Sequence, residues 1–332
     1  MADRRTSRVL VTGGAGFIGS HLVDLLLDGG HHVVVVDDLS TGRLSNLEPA
    51  RARSGDLLEF VHSDLGRWID GEGADHRFDC IFHLAAAVGV KLVVQDPIGT
   101  IETNVHQTSA VLEFANAGST PLLVASTSEV YGKGVNDVFS EDDDLLLGPT
   151  TRSRWSYACS KAIDEYLALA HHEQRGLPVS IVRFFNTVGP RQVGDYGMVV
   201  PRFVARALTG DPIEVYGDGE QSRCFCDVRD AVRALPGILD SRACLGRVVN
   251  LGSDSPISMN GLAQLVKDVL ESDSEIVHVP YEQAYSEGFE DLRSRVPDLS
   301  RIRSAIDFSP VHPLHRTISD LARELQGASS RG

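Results

Sequence analysis

Residues 8–38 read RVLVTGGAGFIGSHLVDLLLDGGHHVVVVDD, and this stretch decides the fold of the chain. Residues 9–11 are a short, β-rich apolar run of the kind that forms a buried parallel strand. Three glycines follow at a spacing of three, Gly13, Gly16 and Gly19. A helical apolar pattern comes next, and residues 33–36 are a second apolar run. The stretch is therefore predicted to be one βαβ unit with a glycine-rich turn between its first strand and its helix.

The glycine-rich turn indicates a dinucleotide-binding site. Gly13 permits the tight turn, Gly16 allows a pyrophosphate to approach the backbone, and Gly19 lets the helix pack closely on the strand. Phe17 and Ile18 lie at the start of the helix, where unpaired N–H groups and the positive end of the helix dipole face the phosphates. These residues are therefore predicted to bind the cofactor.

Asp37 predicts which dinucleotide is bound. It ends the second strand at roughly the 20-residue distance from the last glycine that is expected of a ribose-binding acid. A carboxylate there accepts hydrogen bonds from both ribose hydroxyls and repels a 2′-phosphate, so NAD is predicted as the cofactor. Arg43 is close in sequence and keeps NADP open as an alternative.

The composition excludes several classes of protein. The 332-residue chain has a formal net charge of −15, which argues against nucleic acid as a partner. No apolar run approaches the ~18 residues of a membrane helix, and no signal-peptide pattern begins the chain, so a membrane is not an expected partner. The 5 cysteines are odd in number and scattered, which is typical of reduced thiols in the cytoplasm. Their spacing predicts no metal site.

Apolar runs alternate with helical patterns through the first half of the chain. The predicted strands are residues 9–11, 33–36, 57–62, 78–83, 122–126 and 179–185. This alternation predicts an α/β fold with a Rossmann-type, doubly wound parallel sheet. Beyond Asn186 the elements shorten and Gly, Pro and aromatic residues become frequent. We therefore predict an NAD-binding domain over residues 1–185, rejoined by part of 223–250, and a smaller α/β substrate domain mainly over 186–332.

Two further strand ends carry candidate cofactor contacts, because ligands bind at the carboxyl edge of such a sheet. Asp64 and Leu65 follow the third strand, and Asp64 either binds the adenine amine or caps a helix. Leu84 and Ala85 follow the fourth strand, where small residues allow the backbone to approach a ligand.

Tyr157 and Lys161 are four residues apart in a helical run, so both project from one face. An ammonium beside a phenol favours the phenolate, so the pKa of Tyr157 is predicted to be lowered. Tyr157 is then a candidate general base for a hydroxyl proton, whereas the alternative is a surface pair without function. Thr127, Ser128 and Glu129 follow the fifth strand and supply two hydroxyls and a carboxylate to the same crevice.

Six segments together resemble the extended short-chain dehydrogenase/reductase family, in its group of nucleotide-sugar epimerases, dehydratases and decarboxylases. They are GGAGFIG at 13–19, HLAA at 83–86, TSEVYG at 127–132, YACSK at 157–161, RFFNTVGP at 183–190 and YGDGEQSR at 216–223. The resemblance covers most of the chain, from residue 8 to residue 325. It implies a tightly held NAD, a nucleoside-diphosphate sugar as substrate, and a homodimer built on the helices predicted at 100–117 and 157–176.

The resemblance also implies roles for individual residues. Thr127, Tyr157 and Lys161 would form the group that oxidises C4 of the sugar, and Lys161 would also hold the nicotinamide ribose. Substrate contacts are implied for Ser128, Arg154, Asn186, Arg202, Tyr216, Arg223 and Arg295. Arginine suits the diphosphate because its planar fork grips phosphate oxygens.

Three features favour a uronic acid as the sugar. Ser128 stands where the similar dehydratases carry an Asp that donates a proton to the leaving hydroxyl. The sequence around Arg154 and the segment 288–298 resemble the corresponding parts of UDP-glucuronate decarboxylases. The sequence around Arg154 also resembles that of UDP-apiose synthases. In the decarboxylases this segment places a catalytic arginine, matched here by Arg295. Glu129 is then implied to move a proton at C5 or C4.

The fate of the 4-keto sugar stays open at this point. A 4-keto uronate is a β-keto acid and can lose carbon dioxide, whereas re-reduction from the opposite face gives a 4-epimer. The predicted reaction is therefore decarboxylation or 4-epimerisation of a UDP-sugar, with UDP-glucuronate favoured. The alternatives are a UDP-glucose/galactose-type 4-epimerase and, further behind, a 4,6-dehydratase. A non-catalytic NAD-binding sensor is a remote alternative, because such proteins typically lose the Tyr/Lys pair.

Overall fold

A computed structural model of the chain describes residues 6–87, 96–134, 136–193, 198–280 and 295–329. Residues 288–294, part of the segment similar to decarboxylases, lie outside the described residues, whereas Arg295 lies within them.

The strands are β1 (Arg8–Thr12), β2 (His32–Asp37), β3 (Leu58–His62), β4 (Cys80–His83), β5 (Leu122–Thr127), β6 (Val138–Phe139), β7 (Val179–Phe184), β8 (Thr187–Val188), β9 (Ile213–Tyr216), β10 (Ser222–Cys224), β11 (Cys226–Asp227), β12 (Val248–Leu251), β13 (Pro256–Ser258), β14 (Ile276–Val279) and β15 (Val296–Pro297).

The α-helices are α1 (Phe17–Asp28), α2 (Glu48–Ser54), α3 (Leu65–Asp70), α4 (Pro97–Gly118), α5 (Arg154–Arg175), α6 (Val199–Thr209), α7 (Val228–Asp240), α8 (Met259–Leu270), α9 (Ser300–Ile306) and α10 (Leu314–Ser329). Short 3-10 turns span Leu44–Asn46, Gly55–Leu57 and Ser128–Tyr131.

A seven-stranded sheet forms the centre of the molecule, in the order β12-β7-β5-β4-β1-β2-β3. All of its strand pairs are parallel. The order reverses direction between β1 and β4, which makes their carboxyl ends the expected place for a ligand. The predicted doubly wound α/β sheet is confirmed. Its six predicted strands are joined by β12, which comes from the later part of the chain and pairs with β7.

Both faces of the sheet are covered, which explains why the strands read as continuous apolar runs. Val9 and Val11 belong to the core on one face, together with Leu22 of α1 and Leu235 of α7. Leu10, which points the opposite way, belongs to the core on the other face with residues of α3, α4 and α5.

A third core lies after residue 187 and packs α6, α8 and α10 against β9. Between α6 and α8 the chain returns to the central sheet. There α7 packs against α1, and β12 pairs with β7 at the edge of the sheet. The division into residues 1–185, rejoined by part of 223–250, and 186–332 stays a prediction, and this grouping of the cores supports it.

Within the described ranges, no helix has the length and apolar character needed to cross a membrane. His, Cys, Asp and Glu side chains of the described residues form no group of three or more that would hold a metal ion. All five cysteines are free thiols.

Candidate active site

A cavity of about 900 Å³ lies at the carboxyl edge of the sheet, beside the ends of β1, β4 and β5. One end of it is formed by the predicted cofactor contacts Gly13, Gly16, Phe17, Ile18, Gly19, Asp37, Leu65, Leu84 and Ala85. The remainder includes the predicted catalytic and substrate contacts Thr127, Ser128, Glu129, Tyr157, Lys161, Arg154, Asn186, Arg202, Tyr216, Arg223 and Arg295.

The turn between β1 and α1 is packed too tightly for side chains. Gly13 has a φ of +69°, and a Cβ added there would lie 2.7 Å from the backbone of Ala85. A Cβ added at Gly19 would clash with the carbonyl oxygen of Gly13. Gly16 is the N-cap of α1, so no side chain caps the helix, and its first turn contains no acidic residue. The helix N-terminus is thus open to an anion, as a dinucleotide pyrophosphate requires.

Asp37 ends β2 at the rim of the same turn. Its two carboxylate oxygens accept hydrogen bonds from the backbone N–H groups of Ala15, at 2.9 Å, and Leu39, at 2.8 Å. Burial raises the pKa of Asp37, although these two bonds oppose the shift. Each oxygen retains a second lone pair, so the carboxylate can also accept from ribose hydroxyls. The turn and Asp37 together fit NAD.

Asp64 caps helix α3. Its Oδ1 accepts the backbone N–H of Arg67 at 3.0 Å, and its Oδ2 accepts from the Gln107 amide at 3.2 Å. Among the predicted cofactor residues it is the one that does not line the described cavity. The structure therefore shows Asp64 as the N-cap of α3, one of the two roles considered from the sequence. The other role, a contact of Asp64 with adenine, stays a prediction.

Thr127, Tyr157 and Lys161 are brought together between β5 and α5. Thr127 ends β5 and hydrogen-bonds the half-buried Tyr157 side chain. Lys161, one turn further along α5, is buried and lines the cavity. Its ammonium donates a hydrogen bond to Asp164 at 2.7 Å. The sequence predicted the first three residues but missed Asp164, whose signal was an acid at i+3 from Lys161 on the same helix face.

The predicted acidity of Tyr157 is corrected by the structure. Burial raises the pKa of Tyr157, the charges of Glu129 and Asp164 raise it further, and the hydrogen bond with Thr127 lowers it. The predicted lowering of this pKa is wrong for the protein alone, because burial and the charges of two carboxylates raise the pKa of Tyr157. The phenol of the protein alone is therefore a weaker acid than a free tyrosine.

Glu129, in the 3-10 turn after β5, lies among arginines from distant parts of the chain. Arg295 donates a hydrogen bond to its Oε1, and Nη2 of Arg154 lies 4.0 Å from its Oε2. Burial raises the pKa of Glu129, but the charge and hydrogen bond of Arg295, together with Arg154 and Arg223, lower it more. The carboxyl is therefore held ionised, and a second carboxylate entering here would meet guanidinium groups.

The far end of the cavity is built around Arg202. Its guanidinium lies 4.0 Å from the centroid of the Tyr216 ring, and its Nη2 donates to the carbonyl of Glu214 at 3.2 Å. Asn186, at a φ of +30°, donates from its side-chain amide to the carbonyl of Cys224 at 3.0 Å. The predicted substrate contacts Asn186, Arg202 and Tyr216 thus all line the cavity, and each of the first two is held by a hydrogen bond to a backbone carbonyl.

Several buried polar atoms at this end make no hydrogen bond within the described part of the chain. They are Arg202 Nε, Thr187 Oγ1, Gln192 Oε1 and Gln221 Oε1, and all four residues line the cavity. Buried polar groups are normally hydrogen-bonded, so such a cluster indicates a polar ligand. Sequence reasoning assigned no role to Thr187, Gln192 or Gln221, although Thr187 and Gln221 lie in the segments 183–190 and 216–223 that carry the family resemblance.

Comparison with known proteins agrees with this geometry. The family model for the NAD dependent epimerase/dehydratase family matches residues 9–252. A UDP-N-acetyl-alpha-D-glucosaminuronate decarboxylase from Bacillus cytotoxicus is 44% identical over 304 residues, which cover 91% of this chain and 92% of that protein. UDP-glucuronic acid decarboxylase 1 from Danio rerio is 34% identical over 335 residues, covering 98% of this chain and 75% of that protein.

The fold comparison leads to the same family. A solved structure of a UDP-N-acetylglucosamine 4-epimerase from Methanobrevibacter ruminantium superposes with a TM-score of 0.86 at 29% identity, covering 97% of this chain and 99% of that one. The predicted family, the enzyme class and the cofactor NAD are confirmed. The chain belongs to the NAD-dependent epimerase/dehydratase family of enzymes.

Proposed function

We propose that this enzyme oxidises C4 of a UDP-linked uronic acid and that the resulting 4-keto sugar loses carbon dioxide. The observation that carries the proposal is the ion pair of Glu129 with Arg295, in the cavity that Tyr157 and Thr127 also line. A neutral sugar needs no arginine beside its C6 group, whereas a uronate carries a carboxylate there. The two curated relatives named above are decarboxylases of such substrates, which supports the proposal.

The first step is removal of the C4 hydroxyl proton and hydride. Tyr157 takes the hydroxyl proton on its phenolic oxygen, and Thr127 holds that oxygen by a hydrogen bond. When bound, NAD supplies the hydride acceptor at C4, a positive charge that favours the phenolate, and later the hydride that is returned. Lys161 lies one helical turn from Tyr157 and presents its ammonium to the same cavity.

The second step uses the β-keto acid character of the product. The C5–C6 bond breaks, its electron pair passes into the C4 carbonyl as an enolate, and carbon dioxide leaves. Arg295 orients the departing carboxylate, for which it must turn from its pairing with Glu129. Glu129 is ionised while it is paired with Arg295, so the proton for C5 comes from solvent. Once Arg295 has turned away, Glu129 takes up that proton and passes it to C5, which restores the C4 ketone. Return of the hydride to C4 and of the Tyr157 proton to the C4 oxygen completes a pentose product.

The test is product analysis with three substrates: UDP-glucuronate, UDP-N-acetylglucosaminuronate and UDP-glucose. We expect at least one uronate labelled with ¹³C at C6 to release labelled carbon dioxide, with the UDP-pentose identified by mass spectrometry and NMR. UDP-glucose should give no carbon dioxide. If neither uronate releases carbon dioxide, the proposal is wrong.

A second candidate is 4-epimerisation, favoured by the likeness to a 4-epimerase structure. Both reactions begin with the same Thr127 and Tyr157 chemistry and diverge only at C5–C6. The same experiment separates them, because an epimerase returns a product of unchanged mass with the opposite configuration at C4. A 4,6-dehydratase is less favoured, since Ser128 offers no carboxylic acid to the C6 hydroxyl.

We also propose a homodimer in which α4 and α5 of one subunit pack against those of its partner. These two helices pack on each other and expose large apolar side chains: Ile98, Ile101, Ile163 and Tyr166. Exposed apolar patches of this kind are typical of interaction surfaces. Sedimentation of an Ile163→Glu, Tyr166→Glu double variant should show a monomer, and an unchanged dimer would contradict this interface.

The location in the cytoplasm is likewise a proposal. Five free thiols, one of them on the exposed Cys159, support it because an oxidising compartment tends to convert such thiols. Fractionation of cells that produce the chain, followed by thiol labelling, would test it.

A further inference from the structure

Lys161 and Asp164 form a buried ion pair that the proposed reaction does not itself account for. The Lys161 side chain is 2% exposed and that of Asp164 is 0% exposed, and their Nζ and Oδ2 atoms are 2.7 Å apart. Glu165, the next residue, turns the other way and pairs with Arg183. The two adjacent acids on α5 therefore have different partners, and of the two it is Asp164 that pairs with the candidate catalytic lysine.

A run of buried polar side chains leads from Asp164 to the glycine turn. Burial raises the pKa of Asp164, although Lys161 and, less strongly, the nearby Thr108 hydroxyl of α4 oppose that shift. Oδ1 of Asp164 makes no hydrogen bond among the described residues. Nε2 of His83 lies 3.2 Å from the Thr108 hydroxyl, and its Nδ1 lies 2.8 Å from the hydroxyl of Thr12. Thr12 immediately precedes Gly13 and accepts the backbone N–H of Ala85 at 3.2 Å.

The neutral ring of His83 joins the two threonines. Burial, with a smaller effect of the Lys161 charge, lowers the pKa of His83 to about 3, so its ring is neutral and carries one N–H. One ring nitrogen therefore donates to one threonine hydroxyl and the other accepts from the second hydroxyl. In either tautomer the ring ties Thr108 of α4 to Thr12 at the end of β1.

We propose that Asp164 is a positioning residue that fixes the Lys161 ammonium, and that Thr108, His83 and Thr12 couple this pair to the turn that binds the coenzyme. An ammonium has three donors, so one bond to Asp164 orients the other two toward the cavity that Lys161 lines. Gly13 is in close contact with the backbone of Ala85, so a displacement of the turn is passed to Thr12.

The role of Lys161 in catalysis rests on the proposed function, but its fixation by Asp164 can be measured without any sugar. The chain has only four lysines, Lys91, Lys133, Lys161 and Lys267. Labelling with ¹⁵N-lysine therefore gives at most four ammonium signals, and Lys161→Met assigns one of them. We expect a single slowly exchanging ammonium at neutral pH in the parent protein, because a buried ion pair protects it from solvent.

Asp164→Asn should speed exchange of that ammonium by about tenfold or more and weaken NAD binding by about tenfold, since a charge-assisted hydrogen bond is lost. Thr108→Val, which keeps the ion pair but cuts the run, should weaken NAD binding by about threefold. Glu173→Gln removes an exposed acid from the same helix and should change neither quantity. NAD affinity is read by calorimetry on protein stripped of coenzyme.

The proposal is overturned if folded Asp164→Asn keeps the parent exchange rate, or if Thr108→Val binds NAD as the parent does. Should Asp164→Asn fail to fold by circular dichroism, Thr108→Val and His83→Gln decide the matter through NAD affinity alone. Failure of the proposed decarboxylation would leave these readouts untouched, because none of them uses a sugar substrate.

Discussion

The two ends of the cavity are assembled in different ways. The coenzyme end comes from one continuous stretch, residues 8–38, with additions from the ends of β3 and β4. The sugar end joins Glu129, Arg154, Arg223 and Arg295, which are separated by up to 166 residues along the chain. Local sequence therefore determines the first end almost completely, whereas the second exists only after the whole chain has folded. Each end should respond differently to substitution.

The largest effect is expected at the coenzyme end. In Gly19→Ala the added methyl group would clash with the carbonyl oxygen of Gly13, and the backbone of Gly13 and Gly14 leaves it no space. We expect loss of NAD from the purified protein and destabilisation by about 1–3 kcal/mol or more, as for overpacking of a tight core. Retained NAD is read by absorbance after denaturation, and stability by thermal unfolding.

Gly327→Ala is the matched control, because an added methyl group there meets nothing within 4 Å. It should retain NAD and the parent melting temperature. If Gly19→Ala also behaves like the parent, the close packing of the turn is not what shapes the coenzyme end.

The same contrast explains how far the sequence could predict the structure. The strands of residues 8–38 were predictable because their apolar period and glycine spacing are local signals. The seventh strand, β12, is only four residues long and joins the sheet through a pairing with β7, which no local pattern reports. The sequence predicted that part of residues 223–250 rejoins the first domain, but it did not identify β12 or its pairing with β7.

At the sugar end the sequence identified residues but not their electrostatics. Arg154 and Arg295 were found through a family resemblance, and the structure places both beside Glu129. The acidity of Tyr157 was wrongly predicted because burial, the largest cause of its raised pKa, and the nearby charge of Glu129 arise only when β5 and α5 pack together. The sign of a pKa shift depends on burial and partners together, and neither is local.

A second large effect is expected at the sugar end, from Arg295→Met. Loss of the guanidinium removes the group proposed to orient the uronate carboxylate, so release of carbon dioxide should fall by about 10²–10³-fold. Oxidation at C4 should persist, and reduced coenzyme should then accumulate in single-turnover absorbance measurements. Arg303→Met, which removes an arginine paired with Asp254 elsewhere, is the control. A loss of C4 oxidation and carbon dioxide release by the same factor would contradict a role confined to the second step.

A smaller effect is expected at Asp37. Asp37→Asn keeps an acceptor for the Ala15 N–H but removes the charge that would repel a 2′-phosphate. The preference for NAD over NADP should fall by about tenfold, a change of about 1.4 kcal/mol in relative affinity. Asp38→Asn, next in sequence, removes an equal charge and should shift the ratio less. An unchanged ratio in Asp37→Asn would mean that another group sets cofactor choice.

The smallest effect concerns pH and the ion pair of the sugar end. The pKa of Glu129 is lowered in the folded protein, so the pair stabilises the fold above the unfolded-state pKa, about 4.3, and this stabilisation is lost as pH falls through the folded-state value. Because the Glu129 side chain is 35% exposed, solvent screening limits the gain. The parent should melt about 1–2 °C above Glu129→Gln at pH 7, and this difference should shrink only below about pH 4, as pH falls through the folded-state pKa. Glu173→Gln, an exposed control, should show a difference that does not change with pH. A parent advantage over Glu129→Gln that persists undiminished at about pH 2 would show that the pair contributes through packing rather than charge.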